Sequence, residues 1–224
     1  MGRKKLQDAN SRLISKTLDQ IINGYIMGDG HVRDVGNLTV EHGPHQRKFA
    51  EWLLAYMAPI CIKNRELSKS YNDDNTVKSY RFNTQNVLKN YHSNWYKVVE
   101  IVKNKKGIDK PKYKKHLPNN IQELFTPLFI AVWYACDGTA TLTHVSGKFE
   151  VTAFTEEERA ILKNLFLTKY DIKSQINRSG FSASGTPQYS LVIAANSFER
   201  FRRVISKDTT LIQDLLPYKL RLPK

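Results

Sequence analysis

Residues 22–30 read INGYIMGDG, an apolar helical run that ends on a carboxylate. A helix C-terminus carries partial negative charge, so an Asp there is disfavoured unless a cation or a hydrogen-bond donor compensates it. Residues 130–138, IAVWYACDG, repeat the pattern 108 residues later (137 − 29), which is about half of the 224-residue chain. The repetition predicts a duplicated architecture with a paired acidic site at Asp29 and Asp137.

Two glycines lie four residues apart on the first of these helices, Gly24 and Gly28, and the matching positions of the second are Val132 and Cys136. A missing side chain lets another backbone approach closely, at a cost in helix propensity. Ordinary packing explains such a pair taken alone. Because the motif occurs twice, we interpret the four positions as a tight but unequal interface between two helices.

The remaining periodicity predicts an α+β fold of two pseudo-symmetric αββαββα repeats. Their antiparallel sheets are expected to form a saddle around a central two-helix interface. The predicted divisions are an N-terminal repeat (1–102), a lysine-rich linker (103–117) and a C-terminal repeat (118–224). A helix is expected over about 86–102, and residues 36–41 are matched in register with 147–152 on the first hairpins of the two halves.

Charge indicates the partner. The chain has 35 Lys and Arg against 21 Asp and Glu, a net charge of +14, which favours a polyanion. Nucleic acid is the leading interpretation and an anionic membrane surface the alternative; the sequence has no apolar run of eighteen residues that could span a bilayer. With only Cys61 and Cys136, neither a disulfide framework nor a structural zinc site is supported.

The two motifs and their surroundings resemble those of the single-chain, two-repeat LAGLIDADG homing endonucleases. Beyond residues 22–30 and 130–138, the similarity includes Pro118-Asn119-Asn120, Phe154-Thr155 at the start of a helix, and the closing Tyr218-Lys219-Leu220. It covers nearly the whole chain. Two motifs at half-chain spacing are far more specific than one.

This resemblance implies that the motif helices form a pseudo-dimer interface and place Asp29 and Asp137 beneath one central DNA site. It also implies hydrolysis of one phosphodiester per strand, leaving four-base 3′ overhangs. Paired carboxylates near phosphates need a divalent cation, and Mg²⁺ suits oxygen ligands; Mn²⁺ is expected to substitute. We expect both aspartates to bind the metal, with the backbone carbonyls of Gly28 and Cys136 as further candidate ligands.

By position, Lys115 and Lys219 match the basic residues that orient water or stabilise the transition state in this family. Contact with a DNA phosphate is the alternative role for each, and Lys114 is an alternative to Lys115. Glu41 and Thr152 are equivalent under the register above, where many relatives have an amide or acidic side chain near the water network. Because Thr152 departs from that pattern, we expect an asymmetric site that cuts the two strands unequally.

Polar side chains of the hairpins are expected to contact DNA, since two-stranded ribbons fit the major groove. Solvated strand residues are the alternative interpretation of many of them. The candidates are Arg33, His42, Lys63, Arg65, Lys69, Lys78, Arg81, Gln85, Gln175, Asn177, Arg178 and Gln188. Diverged halves imply a long, non-palindromic target.

The expected partner is therefore double-stranded DNA, bound by a monomer with internal pseudo-two-fold symmetry and no membrane association. A maturase acting on its own intron RNA, or a bifunctional protein, is the alternative function. Members of the family are often encoded in organelle introns. We accordingly expect a mitochondrial or chloroplast location without a targeting peptide, and otherwise an intracellular one.

Overall fold

A computed structural model describes residues 14–62, 66–104, 106–141 and 146–220 and defines the following helices and strands. The first half contains α1 (Lys16–Met27), β1 (Thr39–His42), α2 (Arg47–Met57), β2 (Ser68–Tyr71), β3 (Val77–Asn83), α3 (Lys89–Trp95), β4 (Tyr96–Lys103) and β5 (Asp109–Lys115). The second contains α4 (Ile121–Leu124), α5 (Pro127–Asp137), β6 (Gly138–Ala140), β7 (Gly147–Glu150), α6 (Glu156–Tyr170), β8 (Ser174–Phe181), β9 (Pro187–Ile193), α7 (Ala195–Ile205) and α8 (Leu211–Leu215).

The predicted α+β fold is confirmed. From α5 to α7 the second half runs αββαββα, and its four strands form an antiparallel sheet in the order β6-β7-β9-β8. In the first half, the first arm of the first hairpin is reduced to a single bridge between Val32 and Leu38, leaving an antiparallel sheet β1-β3-β2. Both sheets are open, so each can present one face to a ligand while helices cover the other.

The helix predicted over about 86–102 is wrong beyond its first part. Helix α3 ends at Trp95, and the chain continues as β4, which pairs with β5 from Tyr96↔Lys115 to Lys103↔Asp109. β-branched residues such as Val98 and Ile101 favour the extended conformation, which explains the strand. The segment predicted as a linker therefore contributes β5 to a two-stranded ribbon, residues 96–115, which we call the β4–β5 ribbon.

Local capping explains where α1, α5 and α6 begin. Ser15 accepts the amide of Leu18 at the start of α1, and Thr126 accepts that of Phe129 in α5. Pro127 occupies the first turn of α5, where the backbone N–H has no acceptor within the helix and a proline is therefore tolerated. A new helix thus begins there after α4. Thr155 and Glu158 form a capping box at the start of α6.

One hydrophobic core contains residues from both halves, including Ile22, Phe49, Trp95, Trp133 and Phe166. Helices α1 and α5 pack against each other within it. The division into repeats at 102 and 118 stays a prediction. Among the described residues, no helix is long and apolar enough to cross a membrane.

Candidate active site

Helices α1 and α5 approach each other most closely at two glycines. A Cβ atom on Gly24 would lie 2.7 Å from the carbonyl oxygen of Phe129 and 3.0 Å from Cβ of Val132. A Cβ atom on Gly28 would lie 2.4 Å from Cβ of Cys136. Only glycine permits these distances, so the structure brings together the residues predicted to form the helix interface.

The two aspartates follow the ends of these helices. Asp137 is the last residue of α5 and is half-buried, whereas Asp29 follows the C-cap Gly28 and is exposed. A Cβ atom on Gly28 would lie 3.5 Å from Oδ2 of Asp137, which places that carboxylate against the end of α1. Burial, together with the charge of Asp29, raises the pKa of Asp137 to about 7. The two carboxylates therefore form one electrostatically coupled acidic site.

A lysine side chain donates hydrogen bonds at each helix end; Lys219 is buried and Lys115 is partly buried. Lys115 Nζ donates to the carbonyl oxygens of Ile26 (2.6 Å) and Gly28 (2.9 Å). Lys219 Nζ donates to those of Cys136 and Gly138, both at 2.9 Å. The last carbonyls of a helix lack intrahelical partners and carry its partial negative charge. The lysines therefore supply the compensation that an Asp at a helix C-terminus requires.

The structure also separates Lys115 from its neighbour Lys114. Lys115 reaches the end of α1, whereas Lys114 is exposed on the opposite face of the β4–β5 ribbon. Burial lowers the pKa of Lys115 and of Lys219, and nearby acidic groups, including Asp137, oppose this effect. An ammonium group has three N–H donors, and in each of the two lysines two of these donate to carbonyl oxygens at a helix end. One donor per lysine is left for a further acceptor.

Strand register corrects the predicted equivalence of Glu41 and Thr152. Glu41 pairs with Arg81 in the first sheet, and Glu150 pairs with Ser190 in the second. The neighbouring pairs Val40↔Phe82 and Phe149↔Leu191 extend the same correspondence, with an offset of 109 residues (150 − 41) in place of 111. The counterpart of Glu41 is therefore Glu150, and the asymmetry predicted from Thr152 loses its basis.

Thr152 instead forms a hydrogen bond with Glu150. Its hydroxyl donates to the carboxylate of Glu150 and accepts the backbone N–H of Tyr189 at 2.8 Å. In the first half, the hydroxyl of Ser79 donates to the carboxylate of Glu41. Each half thus has an exposed glutamate oriented by a hydroxyl group. Sequence matching missed Glu150, and only the pairing with β9 identifies it.

The register also decides which predicted DNA contacts share the polar, uncovered face of each sheet. Arg81 lies on that face with Glu41, and Gln85 continues it beyond the end of β3. In the second sheet, Gln175 and Asn177 of β8 lie on it with Gln188 of β9. Sequence analysis missed small hydroxyl side chains on the same face of the first sheet, such as Ser68 and Ser70.

Other predicted contacts are misplaced for such a role. His42 is 4% exposed, with Nδ1 3.0 Å from Oε1 of Gln46 and its ring against Tyr25 and Phe49, so its assignment to DNA is wrong. Strand alternation places Lys69 and Arg178 on the other face of their sheets, because Lys69 opposes Tyr80 and Arg178 opposes Tyr189, although both side chains are exposed.

The remaining candidates lie outside the paired parts of the sheets. Lys78 lies at the irregularity between β2 and β3, and Arg33 is exposed in the loop after α1. Lys63 and Arg65 lie outside the described residues.

The oxygen atoms at the helix ends suit a hard cation shared with a substrate. Asp29 and Asp137 supply carboxylates, and the carbonyls of Gly28 and Cys136 each retain one lone pair beside the lysine hydrogen bond. Within the described ranges, no cluster of three or more His, Cys, Asp or Glu side chains could hold a metal. Mg²⁺ keeps several waters and binds through one or two carboxylates plus phosphates, so this donor set fits it.

A thiol nucleophile does not fit the site. Burial raises the pKa of the Cys136 thiol well above its usual range, and the nearby charges of Asp29 and Asp137 raise it further. The thiolate is the reactive form of cysteine. Cys136 therefore belongs to the packing of the helices.

Comparison with known proteins identifies the type of fold. The model of the LAGLIDADG DNA endonuclease family matches residues 19–201. A solved structure of the homing endonuclease I-WcaI bound to its DNA recognition sequence superposes with a TM-score of 0.68 at 17% identity, covering 98% of this chain and 93% of that one. The N-terminal LAGLIDADG domain of DUF199/WhiA gives 0.48 at 12% identity, covering 89% and 91%. Comparison with curated protein sequences gives no match.

Proposed function

The chain belongs to the LAGLIDADG DNA endonuclease family, and we propose that it hydrolyses one phosphodiester in each strand of a long, non-palindromic DNA target. We further propose that the reaction depends on Mg²⁺ and leaves four-base 3′ overhangs. The observation that carries this proposal is the pair of helix ends, each with a carboxylate and a lysine. Placing two carboxylates close together disfavours their ionised forms, as the raised pKa of Asp137 shows. A protein that only bound DNA would gain nothing from such an arrangement.

Asp29 and Asp137 are the residues that would hold a divalent cation. Such a cation would supply charge neutralisation and Lewis-acid polarisation of a bound phosphate. The close contact of Gly28 with Cys136 keeps the two helix ends together, so both strands meet the same acidic centre. This geometry supports cleavage of both strands from one bound complex.

Lys115 and Lys219 are positioned to act on the reacting groups. The third N–H of each can donate to a phosphate oxygen or to the attacking water, while the other two hold the ammonium in place. A fixed positive charge stabilises the negative charge that develops in the transition state. Glu41 and Glu150 can each accept a hydrogen bond from a water on the polar face of its own sheet.

Affinity and selectivity would come from the two polar sheet faces. Arg81, Gln85, Gln175, Asn177 and Gln188 offer donors and acceptors to base edges, and the charge of +14 offers contacts to phosphates. The fold shared with a homing endonuclease that binds its DNA recognition sequence supports this mode of binding. Because the two faces differ in their residues, we propose that the target lacks strict palindromic symmetry.

The test is cleavage of a plasmid library carrying randomised targets, with and without Mg²⁺, followed by sequencing of the cut ends. Wild type is compared with Asp29→Asn and Asp137→Asn, and Glu123→Gln is the control for loss of an exposed carboxylate. We expect cleavage by wild type and the control and its loss in both aspartate variants. Equal cutting by the aspartate variants would contradict the assignment, and RNA binding without any DNA cleavage would favour a maturase.

A further inference from the structure

The β4–β5 ribbon begins directly beside the candidate active site. At its base, Lys115 holds the end of α1, and Tyr96 Oη donates to the carbonyl oxygen of Gly30 at 3.3 Å. The His31 ring, two residues after Asp29, lies 5.1 Å from the ring of Tyr96 in an edge-on contact. The base of the ribbon is thus fixed relative to the acidic centre.

Beyond this base, Tyr113 packs against the edge of the core, whereas most apolar side chains of the described part of the ribbon do not. Val98, Ile101 and Ile108 are each more than half exposed (53%, 58% and 59%). A two-stranded hairpin that buries so little is marginally stable in water. Its cost in stability indicates that the outer part serves an external contact.

The charge of the ribbon indicates the nature of that contact. Excluding Lys115, its described residues contain six lysines against Glu100 and Asp109. Within the described residues, the only one of these lysines in an ion pair is Lys112, 3.1 Å from Glu100. A surface with this surplus of cations favours a polyanion.

Strand geometry gathers four of these lysines on one side. Lys110, Lys112 and Lys114 alternate along β5 and therefore share a face, and Lys97 is opposite Lys114 on β4. We call these four residues the lysine face. Successive members along β5 are about 6.8 Å apart, close to the axial rise of two phosphates of one DNA strand at about 3.4 Å each. The seven residues of β5 extend roughly 24 Å.

We propose that the lysine face of the β4–β5 ribbon binds the phosphate backbone of the DNA duplex next to the cleavage site, outside the surface covered by the two sheets. The proposal rests on the proposed DNA endonuclease function. Because the base of the ribbon is fixed at the end of α1, a duplex bound at the acidic centre would pass close to the ribbon. Phosphate contacts carry no sequence information, so the ribbon contributes affinity and register.

The test uses the triple variant Lys110→Gln, Lys112→Gln, Lys114→Gln in the full chain. Its matched control, Lys48→Gln, Lys163→Gln, Lys207→Gln, removes the same charge from exposed positions on or next to helices. Affinity for a duplex that wild type cuts is measured in EDTA between about 50 and 200 mM KCl. We expect the slope of log affinity against log salt to become shallower by about 2 to 3 in the ribbon variant, and by less than about 1 in the control.

Two further measurements identify the contact. Hydroxyl-radical footprinting should show phosphates beside the cleavage site that wild type and the control protect and the ribbon variant does not. The triple Lys→Arg variant at the same positions should keep the wild-type slope because it keeps the three charges, and urea unfolding of the glutamine variant should match that of the control.

A ribbon variant whose slope and footprint match those of the control overturns the proposal. Loss of binding to a structured RNA, with DNA binding equal to the control, overturns it in favour of an RNA surface. If wild type cuts no target, the proposed function fails separately. The salt comparison on a random-sequence duplex still tests the ribbon, because phosphate contacts need no particular sequence.

Discussion

Gly28 in α1 and Cys136 in α5 face each other so closely that a Cβ atom on the glycine would lie 2.4 Å from Cβ of the cysteine. This contact lies one residue before each aspartate of the acidic site. The distance between the two carboxylates is therefore controlled by helix packing, and any side chain at Gly28 must change it. The absence of a side chain at one residue thus links the stability of the interface to the geometry of the site.

Gly28→Ala should reduce the free energy of unfolding by about 1 to 3 kcal/mol because the methyl group overpacks the interface. Gly43→Ala is the control: nothing lies within 4 Å of a Cβ atom there, and we expect a change within about 0.5 kcal/mol. Urea unfolding measures both. In a double-mutant cycle with Cys136→Gly, the two substitutions should show a favourable interaction energy of at least about 1 kcal/mol, because removing the cysteine side chain makes room for the methyl group. Strictly additive effects would contradict the close contact.

The paired motif, the start of α6 and the central interface were predictable because each depends on residues close in sequence or on a repeated pattern. Ser15, Thr126 and Thr155 cap helices through neighbours three residues away. The two Asp-Gly endings indicate the duplication from the sequence alone. In such cases the local pattern and the tertiary structure require the same residues.

The equivalence of Glu41 and Glu150 could not be predicted in the same way. A shift of two residues leaves every side chain on its original face of the strand, so the alternation of buried and exposed positions is equally good in either register. Only the partners on β3 and β9 decide between them. The lysine contacts to the helix ends span more than eighty residues, and no local pattern predicts such a contact.

The metal-free protein should lose stability as pH rises from 5 to 8. The pKa of Asp137 is raised from 3.8 to about 7 by burial and by Asp29, so the folded state favours the protonated carboxyl. This contribution is fully present below the unfolded pKa and is lost as pH rises through 7. Relative to Asp137→Asn, wild type should lose about 2 to 3 kcal/mol over that range in EDTA. Parallel pH curves for the two proteins would rule out a raised pKa.

Magnesium should reverse this loss. A cation bound between Asp29 and Asp137 favours both ionised carboxylates, and a ligand that binds only the folded state stabilises it. Thermal unfolding at pH 8 should show a higher Tm with Mg²⁺ for wild type and for Glu123→Gln, and a smaller increase for either aspartate-to-asparagine variant. At pH 5 the increase should shrink for wild type, because protons compete for Asp137. Equal increases in all variants would indicate a general salt effect.

Removing either of the two lysines at the helix ends should affect both folding and catalysis. Lys115→Met and Lys219→Met each leave two helix-end carbonyls without a donor, and we expect a loss of about 1 to 3 kcal/mol in the free energy of unfolding. Cleavage at saturating protein should slow by about 10²-fold, because a fixed donor to the reacting groups is lost. Lys163→Met, on the exposed side of α6, should leave both quantities near wild type. A normal cleavage rate in either lysine variant would restrict that lysine to a structural role.

The corrected register predicts that Glu41→Gln and Glu150→Gln have similar effects on opposite strands. Each glutamate is exposed on the polar face of its own sheet and accepts a hydrogen bond from a hydroxyl group, Ser79 or Thr152. If each orients a water at the nearer scissile phosphate, each variant should slow the cutting of one strand by about tenfold and accumulate nicked plasmid. The slowed strand should differ between the two variants when end-labelled duplexes are analysed.

Thr152→Val separates the two registers. Under the register observed, the valine removes only a partner of Glu150 and the acceptor for the Tyr189 amide, so cutting should slow by less than about threefold at saturating protein. Under the register matched from sequence alone, Thr152 itself would occupy the place of Glu41, and its loss would equal that of Glu41→Gln. Suppose instead that Thr152→Val slows cutting as much as Glu41→Gln does, while Glu150→Gln cuts like wild type. The functional equivalent of Glu41 would then be Thr152, two residues from the position that the pairing of β7 with β9 indicates.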